Sequence, residues 1–409
     1  MTPRRLTLAL VAVLTTVTAC SDTKSSAPTT TGAAITSPTS DTTTPAATET
    51  TVSPADAAAA YTEAGPYPVG VTTLQLAKGP SVEIWYPAVA GTSGTETYDI
   101  RDFVPEKVKA LFTADIAAGA SYAASRDAAV ADGAFPVVLF SHGFSGVRLQ
   151  STFLTAEMAS WGMIVVSPEH PSRDLSAVLG GALTGGPIDP NDSVDDLLKS
   201  LDLIIAQGDD SSTLFAGHVD SDHVAAVGHS AGGATVLGAA ADARIDGYVS
   251  LASGVLRGGD SGTTTSTTPM VMPAKPSLFV AGSIDAVVPP ATVTRPAYEA
   301  APSPSALWVI DGAGHNAFDD FCTFGGGTGI IGIADASGLG PLLDTFPSLR
   351  TLGEDGCKPP AVAVTTTFPI IRHVVIAWVR QLFGIDPTPV GLGTDVADQY
   401  GTPVEIASK

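Results

Sequence analysis

Three residues whose side chains could together perform nucleophilic catalysis, Ser230, Asp285 and His315, each follow an apolar stretch of the sequence. Ser230 is the central residue of the pentapeptide Gly228–Gly232, which comes directly after the apolar run 224–227. This context is typical of a nucleophile elbow, a tight turn from strand to helix that exposes a serine hydroxyl. The five letters alone are weak evidence, so the surrounding residues must support the prediction.

A serine hydroxyl is a weak nucleophile near neutral pH, and it needs a histidine base oriented by a carboxylate. The apolar segment 277–282 leads to Asp285, and the segment 306–310 leads to His315. Asp311 is an alternative for the acid, although it lies only four residues before His315 in the same loop. The order Ser, Asp, His differs from the orders found in chymotrypsin and subtilisin.

Attack on a carbonyl group also requires N–H donors that stabilise the oxyanion. The apolar stretch 135–140 is predicted to be a strand that ends in the loop 141–146. One donor is expected from the residue after the nucleophile and one from this earlier loop. We therefore predict the N–H groups of Ala231 and Phe144 as the donors, with Gly143 as the alternative.

Apolar strand-like segments alternate with helical segments along the chain. Residues 82–86 and 163–167 are further predicted strands, whereas 192–207 and 368–383 have apolar residues at helical spacing. This alternation predicts an α/β fold with a mostly parallel central sheet and helices on both faces. We expect one catalytic domain over 61–386, followed by a C-terminal tail over 387–409.

A set of short motifs resembles the branch of the α/β-hydrolase superfamily that contains platelet-activating-factor acetylhydrolase and dienelactone-hydrolase-like proteins. The resemblance covers about residues 66 to 384 and rests on Trp85–Pro87, Phe140–Gly143, Pro168–Pro171, Gly228–Gly233, Gly282–Asp285 and Gly314–His315. Because the nucleophile is serine and not cysteine, the resemblance implies hydrolysis of esters, with short acyl chains preferred. The segment 325–360 has no counterpart in it.

Three further histidines lie near these motifs and are possible pocket-lining residues: His142, His170 and His229. Each also has a structural interpretation, in which it supports a turn or loop by packing or hydrogen bonding. The glycine-rich segment 175–190 is either a mobile cap over an acyl pocket or a packed surface loop. The predicted chemistry requires no cofactor and no metal, and Asp220, Asp222 and His223 resemble a metal cluster only superficially.

The N-terminal residues predict export. Arg4 and Arg5 precede the short apolar run 6–13, and the run is too short to span a membrane. We therefore predict a signal peptide over 1–19, and the residues before Cys20 resemble a bacterial lipobox, in which the cysteine is lipidated. Residues 20–60 are rich in Ser, Thr, Pro and Ala, which predicts a disordered tether.

Cysteine count and charge add two expectations. The chain has three cysteines, and lipidation of Cys20 would leave Cys322 and Cys357 to form a disulfide in an oxidising compartment, with two buried free thiols as the alternative. The formal net charge of −21 disfavours binding to nucleic acid or anionic lipid head groups.

These features together predict a secreted, lipid-anchored serine carboxylic ester hydrolase that acts on short-acyl or lipid-like esters through Ser230, Asp285 and His315. Its partners would be a small-molecule or lipid ester substrate and the membrane that holds the N-terminal lipid. Two alternatives remain open: an inactive cell-surface binding lipoprotein on the same fold, and an amidase or peptidase that uses the same triad.

Overall fold

The computed structural model describes residues 52–77, 79–113, 115–184, 192–254 and 271–409. Several predictions lie outside the described residues: the signal peptide over 1–19, lipidation of Cys20, the tether up to residue 51, and the part of the glycine-rich segment from 185 onward.

Within the described residues, ten strands form one sheet and two form a separate hairpin. The strands are β1 (Val69–Gln75), β2 (Ser81–Pro87), β3 (Glu96–Asp99), β4 (Gly119–Tyr122), β5 (Ser125–Arg126), β6 (Phe135–Ser141), β7 (Ile164–Pro168), β8 (Val219–His229), β9 (Gly247–Leu251), β10 (Ser277–Gly282), β11 (Ser305–Ile310) and β12 (Val404–Ser408). The order in the large sheet is β12-β11-β10-β9-β8-β6-β7-β2-β1-β5, and β3 pairs with β4.

The centre of the large sheet is parallel. Strands β11, β10, β9, β8, β6 and β7 pair in parallel in that spatial order. Antiparallel pairs add β2 and β1 at one side and β12 at the other. The predicted mostly parallel sheet is therefore confirmed. The segment 387–409 is more than a tail, since β12 pairs along β11 and completes the sheet.

Helices cover both faces of the sheet. They are α1 (Pro54–Ala59), α2 (Glu106–Lys109), α3 (Thr152–Ser160), α4 (Leu175–Thr184), α5 (Asp192–Asp209), α6 (Ala231–Ala239), α7 (Thr294–Ala300), α8 (Phe324–Gly327), α9 (Gly329–Ala336), α10 (Gly340–Thr345), α11 (Pro347–Glu354) and α12 (Val364–Leu382). Short 3-10 helices cover Ile100–Phe103, His315–Phe318 and Thr394–Val396.

The two faces of the sheet bury separate apolar clusters, because side chains alternate along each strand. On β6, Val138 and Phe140 pack with helices α3 and α12, whereas Val137 and Leu139 pack with α5 and α6. All seven residues of β6 are buried. This two-sided burial explains why the central strands read as continuous apolar runs.

Two element boundaries differ from the prediction. Helix α1 lies inside the predicted tether: the Ser53 hydroxyl accepts from the Asp56 N–H at 3.2 Å, Pro54 begins the helix, and Ala58 is buried. Helix α12 begins at Val364 instead of 368, with Pro369 inside it. A proline in the second turn removes a single hydrogen bond, which the buried apolar face of the helix compensates.

Candidate active site

The loops with the predicted catalytic residues meet at one edge of the sheet. Strands β6, β8, β10 and β11 are parallel, and their carboxyl ends lead to residues 141–146, Ser230, Asp285 and His315 respectively. Ligands of open α/β sheets bind at this edge, where the strand order reverses. The order reverses at β6, which lies between β7 and β8.

Ser230 occupies the strained turn between β8 and α6. Its φ of 56° and ψ of −121° are unusual for a residue with a side chain. The backbone around it is crowded: a Cβ at Gly228 would collide with the carbonyl of Gly232, and a Cβ at Gly232 would collide with the carbonyl of Ser141. Only glycine fits at these two positions, which explains the motif.

Ser230, His315 and Asp285 form a continuous hydrogen-bonded chain. His315 Nε2 lies 2.9 Å from Ser230 Oγ, and His315 Nδ1 lies 2.8 Å from Asp285 Oδ2. All three residues are buried. The other carboxylate oxygen of Asp285 accepts from the N–H groups of Val287 at 2.9 Å and Val288 at 2.7 Å. The acid is therefore fixed in orientation before a substrate binds.

Asp311, the alternative acid, lies outside this chain. It is exposed, and its carboxylate accepts from the hydroxyl of Ser283 at 3.0 Å. The geometry therefore supports Asp285 in the place next to His315.

The oxyanion loop lies against the nucleophile. A Cβ on Gly143 would be 3.2 Å from the Cβ of Ser230. The Gly143 N–H donates to Gln150 Oε1 at 2.7 Å, so it is not free for a substrate. The Phe144 N–H has no partner among the described residues, and Ala231 begins helix α6, where N–H groups have no intrahelical acceptor. The predicted donors, Phe144 and Ala231, are the N–H groups left available.

Gln150 connects the loop 141–146, through His229, to the loop of His315, and no motif in the sequence marked it. Because its Oε1 accepts from Gly143, its Nε2 must donate, and it does so to His229 Nδ1 at 2.8 Å and Asp319 Oδ2 at 3.0 Å. His229 then carries its proton on Nε2, which donates to the carbonyl of His315 at 3.1 Å. Burial keeps the pKa of His229 well below its usual value.

Of the three histidines considered as possible pocket-lining residues, only His229 lines the cleft that contains Ser230, whereas His142 and His170 have the structural interpretation. Both are completely buried. His142 Nδ1 donates to the Gly143 carbonyl at 2.8 Å, and its Nε2 accepts from the His170 N–H at 3.1 Å. Burial lowers the pKa of His142 to about 3, so it is neutral. His142 thus supports its own loop, and its bond with His170 joins this loop to a residue 28 positions away.

A buried guanidinium group also supports this loop. Arg173 donates to the Ser141 hydroxyl at 2.8 Å, to the His142 carbonyl at 2.7 Å and to the Thr235 hydroxyl at 2.7 Å. It thus joins the end of β6 to helix α6, which begins next to Ser230. Burial lowers the pKa of Arg173 to about 9, so at neutral pH it remains charged.

Asp355 is a second residue that the sequence analysis missed. It is forty residues from His315, yet its Oδ1 accepts from the His315 N–H at 2.6 Å. Its Oδ2 accepts from the Ala286 N–H at 3.1 Å, in the loop that holds Asp285. No motif marks this aspartate, because its contacts follow from the fold of residues 324–354, which we call the helical insertion.

The helical insertion comprises α8 to α11, and the disulfide between Cys322 and Cys357 joins its two ends. Its helices form one side of an apolar cleft that opens onto Ser230. The predicted cysteine pair is thus present in the structure. Leu175, Val178 and Leu179, on helix α4, line another side of the cleft.

The described residues were also searched for metal-binding groups and for membrane-spanning helices. His223 Nδ1 lies 2.8 Å from Asp220 Oδ2 at the surface, and no group of three or more His, Cys, Asp or Glu side chains in the described ranges could hold a metal ion. No helix among those same residues has the length and apolar character to cross a membrane.

The comparisons with known proteins agree with this architecture. The family model described as platelet-activating factor acetylhydrolase, isoform II, matches residues 60–185. The match covers less than a third of the chain and ends before Ser230, so it includes the oxyanion loop but none of the three residues of the hydrogen-bonded chain. No curated protein matches the sequence.

Proposed function

Since this chain belongs to the α/β-hydrolase superfamily, we propose that it is a serine carboxylic ester hydrolase. The family match supports a hydrolase that acts on esters. The observation that supports the serine mechanism is the hydrogen-bonded chain from Ser230 through His315 to Asp285, buried at the carboxyl edge of the sheet.

In the proposed reaction, Ser230 Oγ attacks the carbonyl carbon of the ester while its proton passes to His315 Nε2. Asp285 accepts from His315 Nδ1–H, which keeps the imidazole in the required tautomer and stabilises the imidazolium. The negative charge that develops on the carbonyl oxygen is stabilised by the N–H groups of Ala231 and Phe144.

The tetrahedral intermediate collapses as His315 returns the proton to the leaving alcohol, and the acyl group remains on Ser230. A water molecule then gives its proton to His315 and attacks the acyl carbon. Collapse of the second intermediate releases the carboxylic acid and restores the serine hydroxyl. Apart from the ester and this water molecule, the steps use only side chains and backbone groups of the described site.

A fluorophosphonate probe tests the nucleophile directly, because it forms a covalent bond with an activated serine. We expect labelling of Ser230 in the wild type and none in Ser230→Ala, with hydrolysis of p-nitrophenyl esters reduced by several orders of magnitude in that variant. Ser221→Ala, which changes an exposed serine outside the lining of the cleft, is the matched control. Full activity in Ser230→Ala would overturn the mechanism, and an unlabelled wild type would favour the binding lipoprotein.

Ester and amide substrates that share one acyl group separate an esterase from an amidase or peptidase on the same triad. We expect kcat/KM on the ester to exceed that on the amide by at least a hundredfold. Faster turnover of the amide would assign the site to the alternative class.

We also propose that the protein is anchored outside the cytoplasm by a lipid on Cys20. Support comes from Arg4 and Arg5, the apolar run 6–13 and the lipobox-like residues before the cysteine. Cys20→Ser should move the protein from the membrane fraction to a soluble or uncleaved form. Unchanged fractionation of that variant would exclude lipid anchoring at Cys20.

A further inference from the structure

Three separate parts of the chain form the walls of the cleft that contains Ser230, and each wall presents an apolar face. On helix α4 the lining residues are Leu175, Val178 and Leu179. Their spacing of i, i+3 and i+4 places them on one side of the helix. The face they form is apolar along its whole length.

The helical insertion repeats this spacing three times. The lining residues with this spacing are Ile330, Ile333 and Ala334 of α9, then Leu339, Leu342 and Leu343 at α10, then Leu349, Leu352 and Gly353 of α11, and Ile331 of α9 lines the cleft as well. Each set again has the spacing i, i+3 and i+4, so each of these helices turns one face to the cleft. Three consecutive short helices with the same pattern form a continuous aliphatic wall.

The third wall comes from residues 100–112, where Ile100, Val104, Val108 and Phe112 recur at every fourth position. Among the described residues that line the cleft, none has a charged side chain. The amide of Asn316 is engaged, since its Nδ2 donates to the carbonyls of Leu352 at 2.7 Å and Asp355 at 2.9 Å. A polar group placed deep in this cleft would therefore find few partners.

We infer that the cleft holds a long aliphatic chain of the substrate ester, so that esters with a long acyl or alcohol chain are preferred over esters in which both chains are short. This inference rests on the proposed hydrolysis at Ser230. A short ester such as ethyl acetate would leave most of the three walls without contact. A longer chain would bury a methylene group with each added carbon, and each should raise kcat/KM about fourfold, equivalent to about 0.8 kcal/mol.

Two substrate series identify which part of the ester enters the cleft. The first comprises p-nitrophenyl esters from acetate to palmitate, and the second comprises acetate esters of linear alcohols from ethanol to hexadecanol. We expect kcat/KM to rise at least a hundredfold along one series. kcat/KM should rise along the p-nitrophenyl ester series if the cleft binds the acyl chain. It should rise along the acetate ester series if the cleft binds the alcohol chain. A flat or falling profile in both series would overturn the inference.

A substitution that fills the cleft provides the structural test. Leu342 is only partly buried and lines the cleft, so Leu342→Trp should fold and shorten the space available. We expect the ratio of kcat/KM on the longest good substrate to kcat/KM on the shortest ester of the same series to fall at least tenfold relative to the wild type. Leu111→Trp, at a leucine that is 44 % exposed and outside the lining, is the control.

The outcomes separate this inference from the proposed function. Probe labelling and acetate turnover with no chain-length effect would leave the ester hydrolase in place and remove the aliphatic site. Absence of labelling and of turnover on every ester would remove the proposed function itself. Equal chain-length profiles for Leu342→Trp and the wild type would also overturn the aliphatic site.

A second inference concerns Asp355. It follows from the hydrogen bonds of the Asp355 carboxylate and does not depend on the apolar walls of the cleft. One carboxylate oxygen accepts from the His315 N–H and the other from the Ala286 N–H. The backbone carbonyl of Asp355 also accepts from the Asn316 N–H at 2.9 Å. A single residue thus contacts the loop of the base and the loop of the acid.

The chain around Asp355 is held firmly in this place. Gly314 and Gly356 pack so closely that a Cβ on Gly314 would lie 2.5 Å from the Cα of Gly356. Cys357 follows and is joined to Cys322, seven residues after His315. We propose that Asp355 is a positioning residue that sets the separation of Asp285 and His315, again on the premise of the proposed function.

Asp355→Asn should lower kcat at least tenfold and leave KM within twofold. The new NH₂ group would face one of the two backbone N–H donors and release one loop, and a displacement of about 1 Å at a catalytic group can cost a hundredfold. The rate of Ser230 labelling should fall in parallel. Asp344→Asn, an exposed aspartate of the helical insertion, is the matched control.

Asp355→Glu provides a second test if the asparagine variant does not fold. It retains both acceptor oxygens on a longer side chain, which would hold the loops farther apart, so kcat should still fall at least threefold. A folded variant with wild-type kcat and labelling rate, and only a lower melting temperature, would show a purely structural role and overturn the proposal.

Discussion

His229 donates a hydrogen bond from Nε2 to the backbone carbonyl of His315 over 3.1 Å, so the residue before the nucleophile holds the loop of the base. The direction of this bond follows from Gln150, whose amide orientation is fixed by the Gly143 N–H. Nucleophile turn, oxyanion loop and base loop therefore share one hydrogen-bond network. This network predicts that residues without direct substrate contact affect the rate.

His229→Phe retains a ring of similar size but removes both hydrogen bonds of the imidazole. The carbonyl of His315 would then lose the imidazole donor, and Gln150 Nε2 would keep only its bond to Asp319 Oδ2. Each buried hydrogen bond lost in this way costs about 1 to 3 kcal/mol. We expect a lower melting temperature and a decrease in kcat of at least tenfold. His223→Phe, at an exposed histidine, should change neither quantity, and wild-type kcat in His229→Phe would contradict the network.

The two candidate acids can be separated by substitution. Asp285→Asn should reduce kcat by two to four orders of magnitude, because the amide can hold the imidazole in the wrong tautomer. Asp311→Asn should leave kcat within threefold, since Asp311 is exposed and bonded to Ser283. Steady-state rates on one p-nitrophenyl ester are sufficient, and the reverse ranking would assign the acid to Asp311.

The fold and the three central residues could be predicted from the sequence. Each of the three residues lies in a recognisable loop that directly follows an apolar strand. Strands β6, β8, β10 and β11 lie where apolar runs predicted them, and their parallel arrangement brings the loops to one edge. The residues within about ten positions of each motif were sufficient to predict these strands and the loops that follow them. The fold class therefore followed from local sequence.

The supporting residues could not be predicted in the same way. Gln150, Arg173 and Asp355 contact the site through partners that are tens of residues away, and polar residues of these types are common on protein surfaces. The sequence left two interpretations open for His142 and His170, because both follow strands at the edge where sites occur. Their hydrogen bonds with Arg173 and Asp196 could not be predicted from the residues next to them.

The apolar walls of the cleft correspond to a weak pattern in the sequence. The spacing i, i+3 and i+4 recurs from Ile330 to Gly353, but each helix there has eight or fewer residues. Such short segments, interrupted by Gly and Pro, do not produce the sustained periodicity on which helix prediction depends. Only the three helices together form a recognisable face.

Removal of the disulfide should loosen the helical insertion. The double variant Cys322→Ser, Cys357→Ser frees a loop that spans 35 positions. In the chain-entropy model this costs about 3 to 4 kcal/mol of unfolding free energy, measurable by urea denaturation. Asp355 lies two residues before Cys357, so loss of the disulfide should also loosen Asp355. We therefore expect kcat to fall as well. Wild type treated with reductant should behave like the double variant, and free thiols at both positions in secreted protein would contradict the linkage.

Two adjacent buried carboxyl groups predict that stability falls as pH rises. Burial raises the pKa of Asp320 to about 7 and that of Asp319 well above its usual range, with the Phe153 N–H and Arg372 only partly offsetting it for Asp320. The folded protein therefore keeps protons that the unfolded chain releases near pH 4. The contribution of these two groups to the unfolding free energy is complete below that pH and decreases as pH rises towards 7, by up to about 1.4 kcal/mol per pH unit for each group.

Urea denaturation from pH 4 to pH 8 measures this slope. Asp320→Asn removes one titrating group, so its slope over this range should be smaller than that of the wild type. Asp222→Asn, at an exposed aspartate outside the site, should leave the slope unchanged. The buried carboxylate of Glu169, whose pKa burial also raises to about 7, should maintain part of the slope in both variants. A slope in Asp320→Asn equal to that of the wild type would show that Asp320 is ionised in the folded protein throughout this range.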